Sequence, residues 1–143
     1  MLLTKKSEYA LLSLIIIARN SEPINVDVLA KELSISKSFL AKIMQSLSKN
    51  GIVHSYKGAN GGFILAKSSE KINILDITKA AEEKMPSVFE CSSSMNDCPS
   101  SRGTCCNLWP TLNKLQNKIN VFLNDLTLKD LIEWNIIIYP TQT

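Results

Sequence analysis

The 143-residue chain is 45% hydrophobic and 20% charged, with a formal net charge of +3, a composition that excludes a disordered chain and suits one domain burying a core. Its longest apolar run, YALLSLIII at 9–17, falls far short of the ~20 residues a bilayer span requires, which argues against a membrane protein. The charge is uneven: residues 1–67 carry nine Lys and Arg against four Asp and Glu, and residues 68–143 carry seven against nine, so the first half is the one suited to a polyanion.

The apolar run predicts a buried helix over about 5–20. Lys5 and Lys6 ahead of it imitate a secretory signal, but no small-residue cleavage site follows, and the chain is read as cytoplasmic. In EPINVDVLAKELSIS, Val26, Leu29, Ala30 and Leu33 repeat at helical spacing behind Asn25, a suitable N-cap. A third helix follows, capped by Ser36 and ended by Gly51. Its apolar face is Phe39, Leu40, Ile43, Met44 and Leu47. The opposite face, Ser38, Ala41, Lys42, Gln45 and Ser48, is small or polar enough to approach a DNA groove.

IVHSYKGANGGFILA at 52–66 then reads as two strands around Asn60-Gly61, a dipeptide suited to the positive φ angles of a tight hairpin. This is the expected wing, with Lys57 near its tip and the amides of Gly58, Gly61 and Gly62 able to approach phosphates because no Cβ intervenes. Three helices and a hairpin with a basic excess predict a winged helix-turn-helix. Its expected DNA contacts are Ser36, Lys37 and Ser38 at the start of the third helix, Lys42 and Gln45 further along it, and Lys57, Gly58, Asn60 and Gly61 in the wing. Base edges fall to Ser38, Lys42 and Gln45. Neither of the two arginines, Arg19 and Arg102, is on this face, so bidentate Arg–guanine readout is absent and lysine–phosphate contacts should make binding strongly salt-dependent.

In the second half, INILDITKAAEE predicts a short helix capped by Asn73 with Asp76 three residues on, closed by Pro86. Pro110 marks the first turn of a longer helix in which Leu108, Leu112, Leu115, Ile119, Phe122 and Leu126 are spaced by 4, 3, 4, 3 and 4 residues. Such a seam packs lengthwise on another helix, either within the chain or in a second copy. A second copy is preferred, because a helix-turn-helix protein reads two half-sites of a palindromic operator. Thr127 and Asp130 should cap a last short helix; WNIIIYPTQT at 134–143 carries little signal. The expected organisation is a DNA-binding unit at 1–84, a cysteine-rich loop at 85–107, and a dimerisation helix with its tail at 108–143. The fold class is mainly α with a small β-hairpin wing.

All four cysteines lie in CSSSMNDCPSSRGTCC at 91–106. Six residues separate Cys91 from Cys98 and six separate Cys98 from Cys105, with Cys106 adjacent. Structural zinc usually shows paired cysteines two to four residues apart or nearby histidines, and the lone His54 is in the wing. A disulfide switch is a second possibility, with Arg102 beside the thiols. An iron–sulfur cluster is a third, since long spacers let one loop wrap it. Rich in serine, asparagine and glycine, the loop has little apolar surface and should order around a ligand. No Ser-His-Asp or Cys-His set can form around His54, and no helix follows the wing glycines as a phosphate loop requires, so an enzyme is not expected.

LTKKSEYALLSL at 3–14, the continuous stretch from SISKSFLAKIM to GANGGFILA at 34–66, the cysteine loop and LTLKDL at 126–131 together resemble the Rrf-two family of bacterial regulators. The resemblance spans nearly the whole chain. It implies a homodimeric repressor or activator whose operator affinity is controlled by an iron–sulfur cluster, 2Fe-2S or 4Fe-4S, reporting on redox state, nitric oxide or iron–sulfur status. It further implies Cys91 and Cys98 as ligands, with either Cys105 or Cys106 as the third. Glu8 matches the place of an acidic fourth ligand given by the partner subunit, and the spare vicinal cysteine is its rival. Where other relatives have a ligating histidine, this chain has Leu108 or Trp109. Five residues between cysteines are common in the family, against six here, and Ala41 stands where certain relatives carry an acidic base-reading residue. The alternatives are a cluster-free thiol-switch regulator and a small iron–sulfur electron carrier.

Overall fold

A computed structural model describes residues 3–138. It contains α1 (Lys5–Ala18), α2 (Val26–Leu33), α3 (Lys37–Lys49), β1 (Val53–Tyr56), β2 (Gly62–Leu65), α4 (Ile74–Glu82), α5 (Trp109–Asp125) and α6 (Leu128–Ile138). Single 3-10 turns lie at Ser69–Lys71, Met95–Asp97 and Gly103–Cys105. The tail at 139–143, part of the expected third unit, lies outside the described residues. No described helix is long and apolar enough to cross a membrane.

The helix starts follow from local chemistry. Asn25 Oδ1 accepts from the Val28 N–H at 2.9 Å, Ser36 Oγ from Phe39 at 3.2 Å, and Asn73 Oδ1 from Asp76 at 2.7 Å. Each satisfies an amide that has no partner inside its helix, stabilising the helix by ~1 kcal/mol. Thr127 and Asp130 cap α6 reciprocally: the Thr127 N–H donates to Asp130 Oδ2 at 2.9 Å and the Asp130 N–H to Thr127 Oγ1 at 3.2 Å. Between α2 and α3, Ser34 adopts a left-handed conformation (φ 55°) that turns one helix into the next. Gly51 (φ 72°) follows the end of α3 as expected.

The core forms where these helices meet. Leu40, Ile43, Met44 and Leu47 of α3 are buried against Leu14 and Ile17 of α1, Leu29 of α2 and Ile77 of α4. Phe39 is only half-buried and meets Tyr9 edge-on, with ring centroids 6.0 Å apart. Because Leu40 is fully buried, Leu40→Ala should cost ~2–5 kcal/mol, read as a lowered urea midpoint with an unchanged slope. An unshifted midpoint would contradict this core.

The wing is antiparallel, pairing Val53 with Leu65 through Tyr56 with Gly62. Ile24 adds a third rung: the Phe63 N–H donates to Ile24 O at 2.8 Å and the Ile24 N–H to Phe63 O at 3.1 Å. The tight turn expected at Asn60-Gly61 is corrected. Five residues, 57–61, form the loop, and the positive φ angles fall at Gly58 (107°) and Gly62 (152°). A tertiary contact sets this register, since a Cβ on Gly62 would run into the backbone of Ile24.

The stop of α4 also differs. Glu83 takes a left-handed conformation (φ 57°) three residues before Pro86, and the helix ends there. The corner between α5 and α6 is clipped to the start of α4, the Ile74 N–H donating to Leu126 O and the Leu128 N–H to Ile72 O, each at 2.8 Å. The helices and wing of the first half and the C-terminal helices therefore share one core, in which Leu128 is fully buried.

Candidate nucleic-acid interface and cysteine loop

Along α3, Ser38, Lys42 and Gln45 are exposed and Ala41 and Ser48 half-buried, which leaves the expected polar face free of the core. Two of the expected contacts are engaged within the chain. Ser36 Oγ caps the helix, and Lys37 Nζ lies 2.9 Å from Asp27 Oδ1 of α2. Lys42 and Gln45 line a groove of about 340 Å³ together with Lys49 and Lys6, with Glu83 at its edge. Lys79 and Lys84 extend this basic surface on the far side of Glu83. Lys49 was missed from sequence, although it lies two turns from Lys42 on the same helix and its spacing signals the shared face. The other three come from α1, α4 and the residues just after α4, so no local pattern joins them.

At the wing tip, Lys57, Gly58, Ala59 and Asn60 are exposed, as are His54 and Tyr56 on β1. Gly61 donates its N–H to Gly58 O at 3.0 Å, and Gly62 is buried against Ile24. Gly58 stands in the open, with nothing within 4 Å of where a Cβ would be.

The start of α1 is tied to the end of α4. Thr4 Oγ1 and Ser7 Oγ both donate to Glu82 Oε1, the latter at 2.8 Å. Burial pushes the Glu82 carboxyl up, but the hydrogen bonds from Thr4 and Ser7 and the nearby Lys6 charge outweigh it and hold the carboxyl below its ordinary value. A depressed carboxylate contributes stability above its unfolded pKa, ~4.3, and loses it as pH falls through the folded value. Glu82→Ala leaves the buried Ser7 hydroxyl without its partner and should cost ~1–3 kcal/mol at pH 7. The gap from wild type should narrow below about pH 4 as the wild-type carboxyl protonates; urea titrations at both pH values check this, and a pH-independent gap counts against it. On the outer side of this turn, Glu8 is exposed and paired with Lys5 Nζ at 2.8 Å.

All four thiols are free; Cys105 is exposed and Cys91, Cys98 and Cys106 are half-buried. A polar stripe on α5, absent from the sequence-based expectations, holds the inner limb of their loop. Trp109 Nε1 donates to Cys91 O at 2.8 Å and Asn113 Nδ2 to Ser92 O at 3.1 Å. Gln116, 2% exposed, uses its whole amide. Its Nε2 donates to Pro86 O at 2.8 Å and Asn120 Oδ1 at 2.9 Å, while Oε1 accepts from Val88 N at 2.8 Å and Ser92 Oγ at 2.7 Å. The outer limb bonds only to itself among the described residues, across Ser94–Asp97, Met95–Cys98, Cys98–Ser101 and Arg102–Cys105. The Cys105 thiol donates to the Arg102 carbonyl at 3.5 Å, a backbone contact that does not involve the guanidinium charge expected to act on the thiols.

As donors, four reduced thiols in one loop fit an iron–sulfur cluster in kind and number. Among the described residues, however, no three Cys, His, Asp or Glu side chains converge on one point. The seam of α5 divides. Leu108, Leu115 and Phe122, seven residues apart, are 58%, 40% and 61% exposed, whereas Ile119 and Leu126 pack on the core and Leu112 is half-buried.

A helix-turn-helix with an uncovered polar face, a glycine-tipped wing and basic side chains converging from α1, α3 and α4 define a winged-helix DNA-binding regulator. Residues 3–134 match the Rrf2 (Rrf-two) family, described as iron-dependent transcriptional regulators, and the chain belongs to that family. It is 35% identical over 135 residues to the transcriptional regulator NsrR of Bacillus licheniformis, covering 92% of each chain. It is 30% identical over 134 residues to IscR of Escherichia coli, covering 92% of this chain and 80% of that one. The T. potens IscR structure superposes with a TM-score of 0.73 at 21% identity, covering 100% of this chain and 94% of that one, and supports the fold. These relatives make the chain a DNA-binding transcriptional regulator rather than an enzyme.

Proposed function

We propose that two copies of the chain pair through the exposed row of α5 and grip a palindromic operator with α3 and the wing, and that an iron–sulfur cluster in the cysteine loop sets how tightly they grip. Cys91, Cys98 and one thiol of the Cys105–Cys106 pair would hold the cluster, and Glu8 of the partner subunit or the spare vicinal thiol would complete it. One observation carries this reading: three of the four thiols sit on an outer limb with no hydrogen bond to the helices among the described residues. Coordinated iron would give that limb the core it lacks. The family's description as iron-dependent supports the same reading. When bound, the cluster supplies iron open to attack by nitric oxide or oxygen, most readily at a carboxylate-held position.

On the DNA side, Ser38, Lys42 and Gln45 would meet base edges. Lys57, Gly58 and Asn60 would meet phosphates, with Lys6 and Lys49 flanking α3. Ser36 and Lys37 would contribute through the helix start they stabilise, and Gly61 by shaping the tip.

Protein purified without air tests the cofactor. Iron and acid-labile sulfide in near-equal amounts, with visible absorption, support the cluster; colourless protein with neither removes it. A disulfide switch is the second reading, favoured by the packing of the Met95–Asp97 turn on the Gly103–Cys105 turn, which brings the Cys98 and Cys105 segments together. Oxidation by hydrogen peroxide would join two thiols, their two electrons and two protons reducing it to two waters. Metal-free protein whose DNA affinity changes with peroxide and returns with dithiothreitol would select this reading.

A further inference from the structure

The loop's two limbs are held very differently, and the difference is built into α5. Trp109, Asn113, Gln116 and Asn120 are spaced by 4, 3 and 4 residues, the same period as the apolar seam, so they form one line on the helix. Three of them bind the inner limb directly, and Asn120 orients the Gln116 amide. A glutamine offers two donors and two acceptor sites. All four have a partner within reach, three from the short segment from Pro86 to Ser92 and one from Asn120, with the single Ser92 hydroxyl proton shared between Gln116 Oε1 and Phe89 O. Ser92 itself is fully buried. Cys91 therefore stands on backbone fixed from both sides. Among the described residues, Cys98, Cys105 and Cys106 stand on backbone with no hydrogen bond to the helices.

We propose that Gln116 is a positioning residue that keeps Cys91 as the fixed donor of the loop, so that the outer limb closes onto a thiol already in place and the closure acts directly on α5. This rests on the cluster reading. A chelating loop with one donor fixed has less chain to order when it closes. Partners that orient a ligand commonly change metal affinity 10–100-fold when removed. The same connection gives the outer limb a route to the pairing helix, because the side chains that fix the 86–92 segment and the exposed row of Leu108, Leu115 and Phe122 lie on one helix.

Gln116→Leu tests the clamp. After anaerobic reconstitution, it should release iron to a chelator ~10–100-fold faster than wild type, with altered visible circular-dichroism bands. In the metal-free protein, the amides of Val88 and Ser92 should be protected from hydrogen exchange in wild type and exposed in the variant. Far-ultraviolet circular dichroism and binding to a random-sequence duplex should not change. Wild-type rates of iron release, or Val88 and Ser92 amides that already exchange freely in the wild type, would overturn the proposal. Should Gln116→Leu fail to fold, Asn113→Ala, which removes the bond to Ser92 O and otherwise only an exposed bond from Asn117, should still release iron faster, and an unchanged rate counts against the clamp. Wild type that takes up no iron ends the cluster reading, while the exchange experiment still decides whether Gln116 fixes the Cys91 segment.

Discussion

Raising salt from 50 to 200 mM should weaken binding to duplex DNA by roughly a thousandfold, the loss expected when a dimer neutralises ~6 phosphates. The basis is the chemistry of the interface. Its cations are lysines: Lys6, Lys42, Lys49 and Lys57 surround the α3 face and the wing. Arg19 caps the end of α1, and Arg102 lies in the cysteine loop. Lysine acts on phosphate as a point charge, so affinity follows counterion release more than base readout. In a dimer, Lys57→Ala removes two phosphate contacts and should reduce the slope of log affinity against log salt by ~1.8, whereas Lys42→Ala, at a base-reading position, should change it less. Lys37→Ala should do less, because Asp27 already faces that ammonium at 2.9 Å. Fluorescence anisotropy on a labelled random-sequence duplex over a salt series measures all three. A flat wild-type slope would remove the proposed lysine-based grip.

What sequence reveals here depends on how far apart the deciding groups lie. Asn25, Ser36 and Asn73 act on amides three residues ahead, and Thr127 with Asp130 forms a closed pair over the same distance; such chemistry can be read from a short string. The buried face of α3 was legible for the same reason, since period alone places Leu40, Ile43, Met44 and Leu47 together. The wing turn was not. Asn60-Gly61 has the right local chemistry, but Gly62 must lie flat on Ile24, 38 positions earlier, and that contact decides the register. Glu82 reaches Ser7 across 75 positions, beyond any local pattern. Gln116 was hidden differently. A polar residue on an amphipathic helix reads as solvent-facing, and only the carbonyls and amides of 86–92 turn its side into a buried one. The α5 seam was half legible: its spacing is regular, but tertiary packing turns Ile119 and Leu126 inward and leaves Leu108, Leu115 and Phe122 outside.

Cys98→Ala should separate the loop's chemistry from the head's grip. Cys98 sits midway along the outer limb, where among the described residues its backbone bonds only to Met95 and Ser101, so its side chain can be removed without disturbing the core or α3. The variant should lack visible absorption and bound iron while keeping the metal-free protein's affinity for an operator fragment within about twofold. In wild type, a cofactor that turns a 1:10 mixture of gripping and released forms into 10:1 needs a bias of ~2.7 kcal/mol, the logarithmic scale on which ~5.5 kcal/mol moves 1:99 to 99:1. That hundredfold response should vanish in Cys98→Ala. Cys105→Ala and Cys106→Ala, made separately, identify the third donor. Loss of iron in one and retention in the other assigns it, and retention in both means that the vicinal thiols substitute for each other. Glu8→Ala should keep its fold, since the exposed pair with Lys5 contributes at most ~1 kcal/mol, and should lose iron faster if the partner's carboxylate completes the site. If instead Cys98→Ala keeps the full difference in operator affinity between protein prepared with and without iron, the switch lies outside this loop, and the free outer limb needs another explanation.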